Sequence, residues 1–119
     1  MRKILLIDDE IDILKTVGAR LKVCGYEVIT AEDGEEGLKK IIAEKPDLIV
    51  CDVMMPKMDG YTLVRKMKYD NSILPIPIIM LTAKERLQDL FELEGVRAYI
   101  TKPFKSEELL KKIKELIQK

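Results

Sequence analysis

The chain contains no histidine and no tryptophan. Without an imidazole there is no Ser-His-Asp triad, no Cys-His pair and no histidine metal site. Four tyrosines and two phenylalanines are the whole aromatic complement, too few for a base-stacking platform. Neither charge is in excess, since 21 Lys and Arg balance 21 Asp and Glu. No overall positive field therefore draws the chain onto nucleic acid. Long apolar runs are missing as well. Those at residues 4–7 and 48–51 are the longest kind present, far short of the ~18 residues that span a bilayer. Asp8-Asp9 break the first run before a signal peptide develops. The two cysteines, Cys24 and Cys51, stand too far apart for a CxxC motif, which points to a reducing compartment, the cytoplasm. What chemistry remains must come from carboxylates, lysines, hydroxyls, backbone or a bound ion.

What is present reads as one domain over 1–119. At 119 residues a domain buries ~65–70% of its unfolded surface, enough for a core without staples. Apolar β-favouring runs at 3–7, 27–31, 48–51, 76–81 and 98–101 alternate with segments of helical spacing. Ile11, Leu14, Val17 and Leu21 mark the first helix, and Leu38, Ile41 and Ile42 the second. Leu63, Val64 and Met67 mark the third, Leu87, Leu90 and Phe91 the fourth, and Leu109, Ile113, Leu116 and Ile117 the last. Gly25 is placed to end the first helix. Asp33-Gly34-Glu35-Glu36 has the form of a capping box, and Ser106 that of a cap followed by two acids. Runs 4–7 and 48–51 are apolar without alternation, as in strands covered on both faces. This predicts an α/β, doubly wound, five-stranded parallel sheet with helices on both sides.

Ligands of such sheets bind beyond the carboxyl ends of the strands. There the sequence puts Asp8-Asp9 after the first strand, Asp52 after the third, Thr82-Ala83 after the fourth and Thr101-Lys102-Pro103 after the fifth. Three carboxylates about 5 Å apart repel by on the order of 3 kcal/mol per pair at an effective dielectric of 20. A hard divalent cation removes that repulsion, and Mg²⁺ suits because it takes few protein oxygens and keeps room for phosphate. Lys102 and the Thr82 hydroxyl supply a charge and a hydrogen bond for an anion. The set describes phosphoryl chemistry with one carboxylate as nucleophile.

Taken singly, each residue has a plainer role. Asp8-Asp9 suit a helix cap, Thr82-Ala83-Lys84-Glu85 is itself a capping box, and Lys102-Pro103 suits a turn. Asp59-Gly60 is turn chemistry, Cys51 a small buried apolar residue, and Tyr99 packing. Together, however, Asp8-Asp9, the stretch from Asp52-Val53-Met54-Met55-Pro56 to Asp59-Gly60, Leu81-Thr82-Ala83 and Lys102-Pro103-Phe104 resemble the receiver domain of bacterial response regulators. The resemblance covers essentially the whole chain, with the blocks in the family's order.

It implies the flavodoxin-like (βα)5 fold with strand order 2-1-3-4-5. It also implies that Asp52 accepts a phosphoryl group from the phosphohistidine of a sensor kinase or phosphotransfer protein. Asp9, Asp52 and the Met54 carbonyl would bind Mg²⁺ directly, Asp8 through water, and Mn²⁺ could substitute. Thr82, the Ala83 amide and Lys102 would hold the phosphoryl oxygens. Thr82 and Tyr99 would form the switch, and the family's cis bond fits Lys102-Pro103. Met54 and Lys84, two residues after the phosphoacceptor and the threonine, would border the hydrolytic water. Neither places a proton acceptor there, which predicts a phosphorylated state lasting minutes to hours.

The expected product is a signalling phosphoacceptor rather than an enzyme, with a downstream partner or output domain, no membrane contact and no nucleic acid contact of its own. A dimer formed on phosphorylation is a further expected association. The interval from Thr82 to Lys102 is a little shorter than the family's, which leaves partner contacts and dimer mode least transferable. Two other readings compete. A Mg²⁺-dependent aspartyl-phosphate hydrolase needs an acid/base carboxylate two residues after the nucleophile, where Met54 stands. The chain could instead be the receiver of a larger DNA-binding transcription factor, whose output segment would then lie outside it.

Overall fold

The computed structural model describes residues 1–83 and 95–117. The helix predicted around Leu87, Leu90 and Phe91, and Lys84 with it, lies outside these residues. Five strands are present: β1 (Lys3–Ile7), β2 (Glu27–Ala31), β3 (Leu48–Asp52), β4 (Ile78–Thr82) and β5 (Val96–Thr101). They pair in parallel in the order β2-β1-β3-β4-β5. Among the described residues four helices connect or follow them: α1 (Ile11–Val23), α2 (Gly34–Glu44), α3 (Gly60–Tyr69) and α4 (Ser106–Ile117).

Alternation along each strand divides the interior into two layers. Ile4, Leu6, Leu48, Val50, Ile79 and Leu81 face α1 and α4, where Leu14, Val17, Leu21, Leu109, Ile113 and Ile117 close the cluster. Leu5, Ile7, Ile49, Cys51, Ile78 and Met80 face α2 and α3, against Ile41, Leu63, Val64 and Met67. The runs in β1 and β3 lack alternation because both of their faces meet a helix layer. Close approach is built in on the α2 side. A Cβ at Gly37 would lie 2.6 Å from Ile7 Cδ1, and one at Gly34 would collide with the Met58 carbonyl.

Several boundaries move from those expected, each for a physical reason. β4 begins at Ile78 rather than Ile76, since Pro77 has no N–H to give the ladder and only its carbonyl pairs, accepting from Ile49 N at 3.0 Å. β5 starts earlier, at Val96, where the register slips between Ile78 and Ile79 and interrupts the alternation. Asp52 extends β3 and pairs with Leu81. Ser106 is the first residue of α4 rather than a cap before it.

Two apolar marks point to solvent. Ile42 is 50% exposed because it is a helical neighbour of the buried Ile41, and consecutive positions face about 100° apart. Ile11, at the first position of α1, is also exposed. Apart from Ser106, the capping signals hold with one shift. Asp33 accepts from Glu36 N at 2.8 Å, but the Glu36 carboxylate reaches Glu32 N instead of returning to Asp33. Gly25 takes a positive φ of 97° directly after the α1 cap.

Candidate functional site

The strand ends converge as anticipated. Asp8 follows β1 and is fully buried, Asp52 ends β3 at 6% exposure, and Thr82 ends β4 at 1%. One ligand oxygen from each of Asp8, Asp9 and Asp52 falls within 4.8 Å of the others, with Asp9 the exposed member. Lys102 comes in from the end of β5, where its amide donates to the Thr82 carbonyl at 2.7 Å. Its Nζ lies 3.1 Å from Asp8 Oδ2, 3.4 Å from Asp52 Oδ1 and 2.8 Å from Glu10 Oε2. The Lys102-Pro103 peptide is cis.

Electrostatics follow from burial. Desolvation, then the neighbouring Asp8 charge, pushes the Asp52 carboxyl up from 3.8 to about 6, against the pull of Lys102. Desolvation likewise raises Asp8, although the Glu10 amide and Lys102 both favour its charged form. For Lys102, burial works against the ammonium. Its hydrogen bonds to Glu10 and Asp8 and the charges of Asp8 and Asp52 outweigh that and hold it above its usual range. Asp8 Oδ1 accepts from Glu10 N at 2.9 Å, while the buried Oδ2 has, among the described residues, only the Lys102 ammonium, 3.1 Å away, as its partner. Three carboxylates whose oxygens gather within 4.8 Å, against a single lysine, are a donor set that a hard cation completes.

The remaining predicted residues sit around this centre. Met54 is 67% exposed in the connection that follows β3. Ala83, also exposed, lines a cavity of about 570 Å³ together with Glu10, Asp12 and Lys102. Tyr99 pairs with Met80 while Thr82 pairs with Thr101, so Tyr99 and Thr82 share a sheet face with one pair, Leu81 and Ile100, between them. Tyr99 packs half-buried on the cluster that contains Cys51 and Met80.

Two contributions escaped sequence reasoning. Asp59-Gly60 is more than a turn. Asp59 caps α3 by accepting from Thr62 N at 2.8 Å, and a Cβ at Gly60 would lie 2.8 Å from the Asp52 carbonyl. The glycine thus lets the start of α3 rest on the backbone of the central acid. The D-x-x-T spacing before an apolar helix was the signal available for the cap. Glu10 is the other, and nothing in the sequence joins it to a lysine 92 positions away.

A parallel sheet with a cation-compatible acid cluster and a lysine at its carboxyl edge defines a phosphoryl-handling α/β protein. The comparisons make the class specific. Residues 4–114 match the response regulator receiver domain family, and the chain belongs to it. The alkaline phosphatase synthesis transcriptional regulatory protein PhoP of Bacillus subtilis is 45% identical over 99% of this chain and 49% of its own length. The DNA-binding dual master transcriptional regulator RpaA of Synechocystis is 38% identical over 100% of this chain and 50% of its own length. The chain spans about half the length of these relatives.

Among solved structures, chemotaxis protein CheY4 of Vibrio cholerae superposes with a TM-score of 0.89 at 35% identity, covering 98% of this chain and 99% of that one. The response regulator TrrA of Thermotoga maritima, solved in complex with Mg²⁺ and beryllofluoride, superposes with a TM-score of 0.87 at 33% identity, covering 98% and 100%. The protein is a receiver domain of two-component signalling with the flavodoxin-like order 2-1-3-4-5. No described helix is long and apolar enough to cross a membrane.

Proposed function

We propose that Asp52 is the phosphoacceptor of this receiver domain, which spans 1–119. The carrying observation is the convergence of Asp8, Asp9, Asp52 and Lys102 on one sheet edge. A carboxylate oxygen of Asp52 attacks the phosphorus of a phosphohistidine on a sensor kinase or phosphotransfer protein. The P–N bond breaks, and its electron pair leaves with the imidazole. An acyl phosphate forms on Asp52, with the phosphoryl oxygens facing Lys102, the Thr82 hydroxyl and the Ala83 amide. A carboxyl pushed to about 6 is still mostly ionised at neutral pH, as a nucleophile must be. Mg²⁺ or Mn²⁺, held by Asp8, Asp9, Asp52 and the Met54 carbonyl, supplies the positive charge that lets these acids ionise together.

Switching is assigned to Thr82 and Tyr99, on the strength of their shared sheet face two register steps apart. Met54 and Lys84 are assigned to the lifetime of the acyl phosphate, because neither accepts a proton from an attacking water. The setting is cytoplasmic, which suits two free cysteines. A second reading adds to the first. The chain covers half of relatives named as transcriptional regulators, which supports a role as the receiver of a DNA-binding regulator.

Acetyl phosphate tests the central assignment, with acetate as the leaving group. One phosphoryl group should appear by intact mass in the presence of Mg²⁺ and none on Asp52→Asn. Equal labelling of that variant would move the acceptor elsewhere.

A further inference from the structure

Glu10 occupies the N-cap position of α1, yet its side chain makes no cap hydrogen bond. Asp33 and Asp59, at the same position of α2 and α3, both cap. The Glu10 carboxylate turns instead across the sheet edge to Lys102. Its 2.8 Å contact is shorter than the lysine's approaches to Asp8 and Asp52. The two partners differ from Glu10 in exposure, which is 58% for its side chain against 0% for Asp8 and 8% for Asp52. Glu10 and Lys102 also form part of the wall of the 570 Å³ cavity. The Glu10 carboxylate stays in contact with water while it holds the lysine, so little solvation has to be regained when it leaves. Glu10 is therefore the one acid that can give up the lysine at little cost.

We propose that Glu10 is a positioning residue that holds Lys102 in the resting domain and competes for it with an incoming phosphoryl-like anion. The ammonium has three donors, and the hydrogen bond to Glu10 engages one of them at the open side of the site. Arrival of a tetrahedral anion on Asp52 calls for that donor, and the Glu10 side chain swings out to water. This rests on the reading of Asp52 and Lys102 given above.

The test has an arm without metal and an arm with it. In the metal-free protein the Lys102 side-chain ammonium is followed by ¹⁵N NMR in wild type and in Glu10→Gln. Loss of the glutamate should shift that signal and speed its hydrogen exchange. In the second arm, beryllofluoride with Mg²⁺ is titrated calorimetrically. Glu10→Gln should bind about threefold more tightly, the scale of one exposed ion pair. Asp12→Asn, which removes the same charge two residues away without touching Lys102, should change nothing. An unaltered ammonium signal, an unchanged or weakened affinity in Glu10→Gln, or an equal gain in Asp12→Asn would each overturn the proposal. Failure of the wild type to bind beryllofluoride at all would count against the phosphoacceptor reading instead, and the metal-free signal would still decide the pair.

Discussion

Leu6 and Asp8 lie two positions apart on β1 and its extension, and both are entirely shielded from solvent. One joins the aliphatic cluster under α1 and α4, and the other carries an ionisable group clustered with two further carboxylates. The same contrast repeats on β3, where Ile49, Val50 and Cys51 at 0% exposure run into Asp52 at 6%. The strand bodies remove apolar surface from water and stabilise the fold. The strand ends bury carboxylates that repel each other and resist ionisation. Equal burial thus has opposite energetic sign within a few ångströms, and the unfavourable end is the one where the proposed cation and phosphoryl group would sit.

Substitution at the favourable end should give the largest stability change. Leu6→Ala removes a fully buried side chain and should lower the unfolding free energy by about 2–5 kcal/mol, read from urea denaturation. A loss under about 1 kcal/mol would mean the strand body collapses around the gap and is no rigid counterpart to the acid edge.

At the unfavourable end the sign should reverse. The folded-state pKa of Asp52 is raised from 3.8 to about 6, so the folded form binds more protons than the unfolded form between those values. Stability of the metal-free wild type should therefore fall as pH rises through that window and stay reduced above it. Asp52→Ala should lack this part of the slope, and above pH 6 should be more stable by up to about 3 kcal/mol. Thermal melts in chelator at several pH values measure it, and a variant less stable than wild type at pH 7 would remove the contrast.

The smallest effect should come from metal. At ten times its dissociation constant Mg²⁺ should add about 1.4 kcal/mol to the wild type by mass action. The gain should shrink sharply in Asp52→Ala, because that variant has lost one of the three clustered carboxylates. Melts that ignore Mg²⁺ in the wild type would show that the buried acids are not a cation site.

Much of this division was legible in the sequence. The non-alternating runs of β1 and β3 announced strands covered on both faces, and the acids that stop them stood at the edge where ligands bind. Periodicity reports only what neighbouring residues do, however. It marked Ile42 with Ile41, and only packing showed that one of the two faces water. It began β4 at Ile76, before the missing donor of Pro77 was weighed against the ladder. Asp59-Gly60 looked like a turn, because the need for a bare Cα there arises from the Asp52 carbonyl, which belongs to another element.

Residue order by itself determined the succession of strands and helices, the two-faced apolar interior and the identities of Asp8, Asp9, Asp52, Thr82 and Lys102 at the strand ends. These follow from local dihedral preference and from the side-chain period, both written over a few residues. The sheet order β2-β1-β3-β4-β5 was implied only through the family resemblance, since no local pattern states which strands are neighbours. Which acid takes the closest hold on Lys102 was decided by the tertiary structure alone. The 2.8 Å contact with Glu10 joins chain positions 92 apart, and it exists because the sheet sets the end of β5 opposite the loop between β1 and α1, where an uncommitted side chain could reach across.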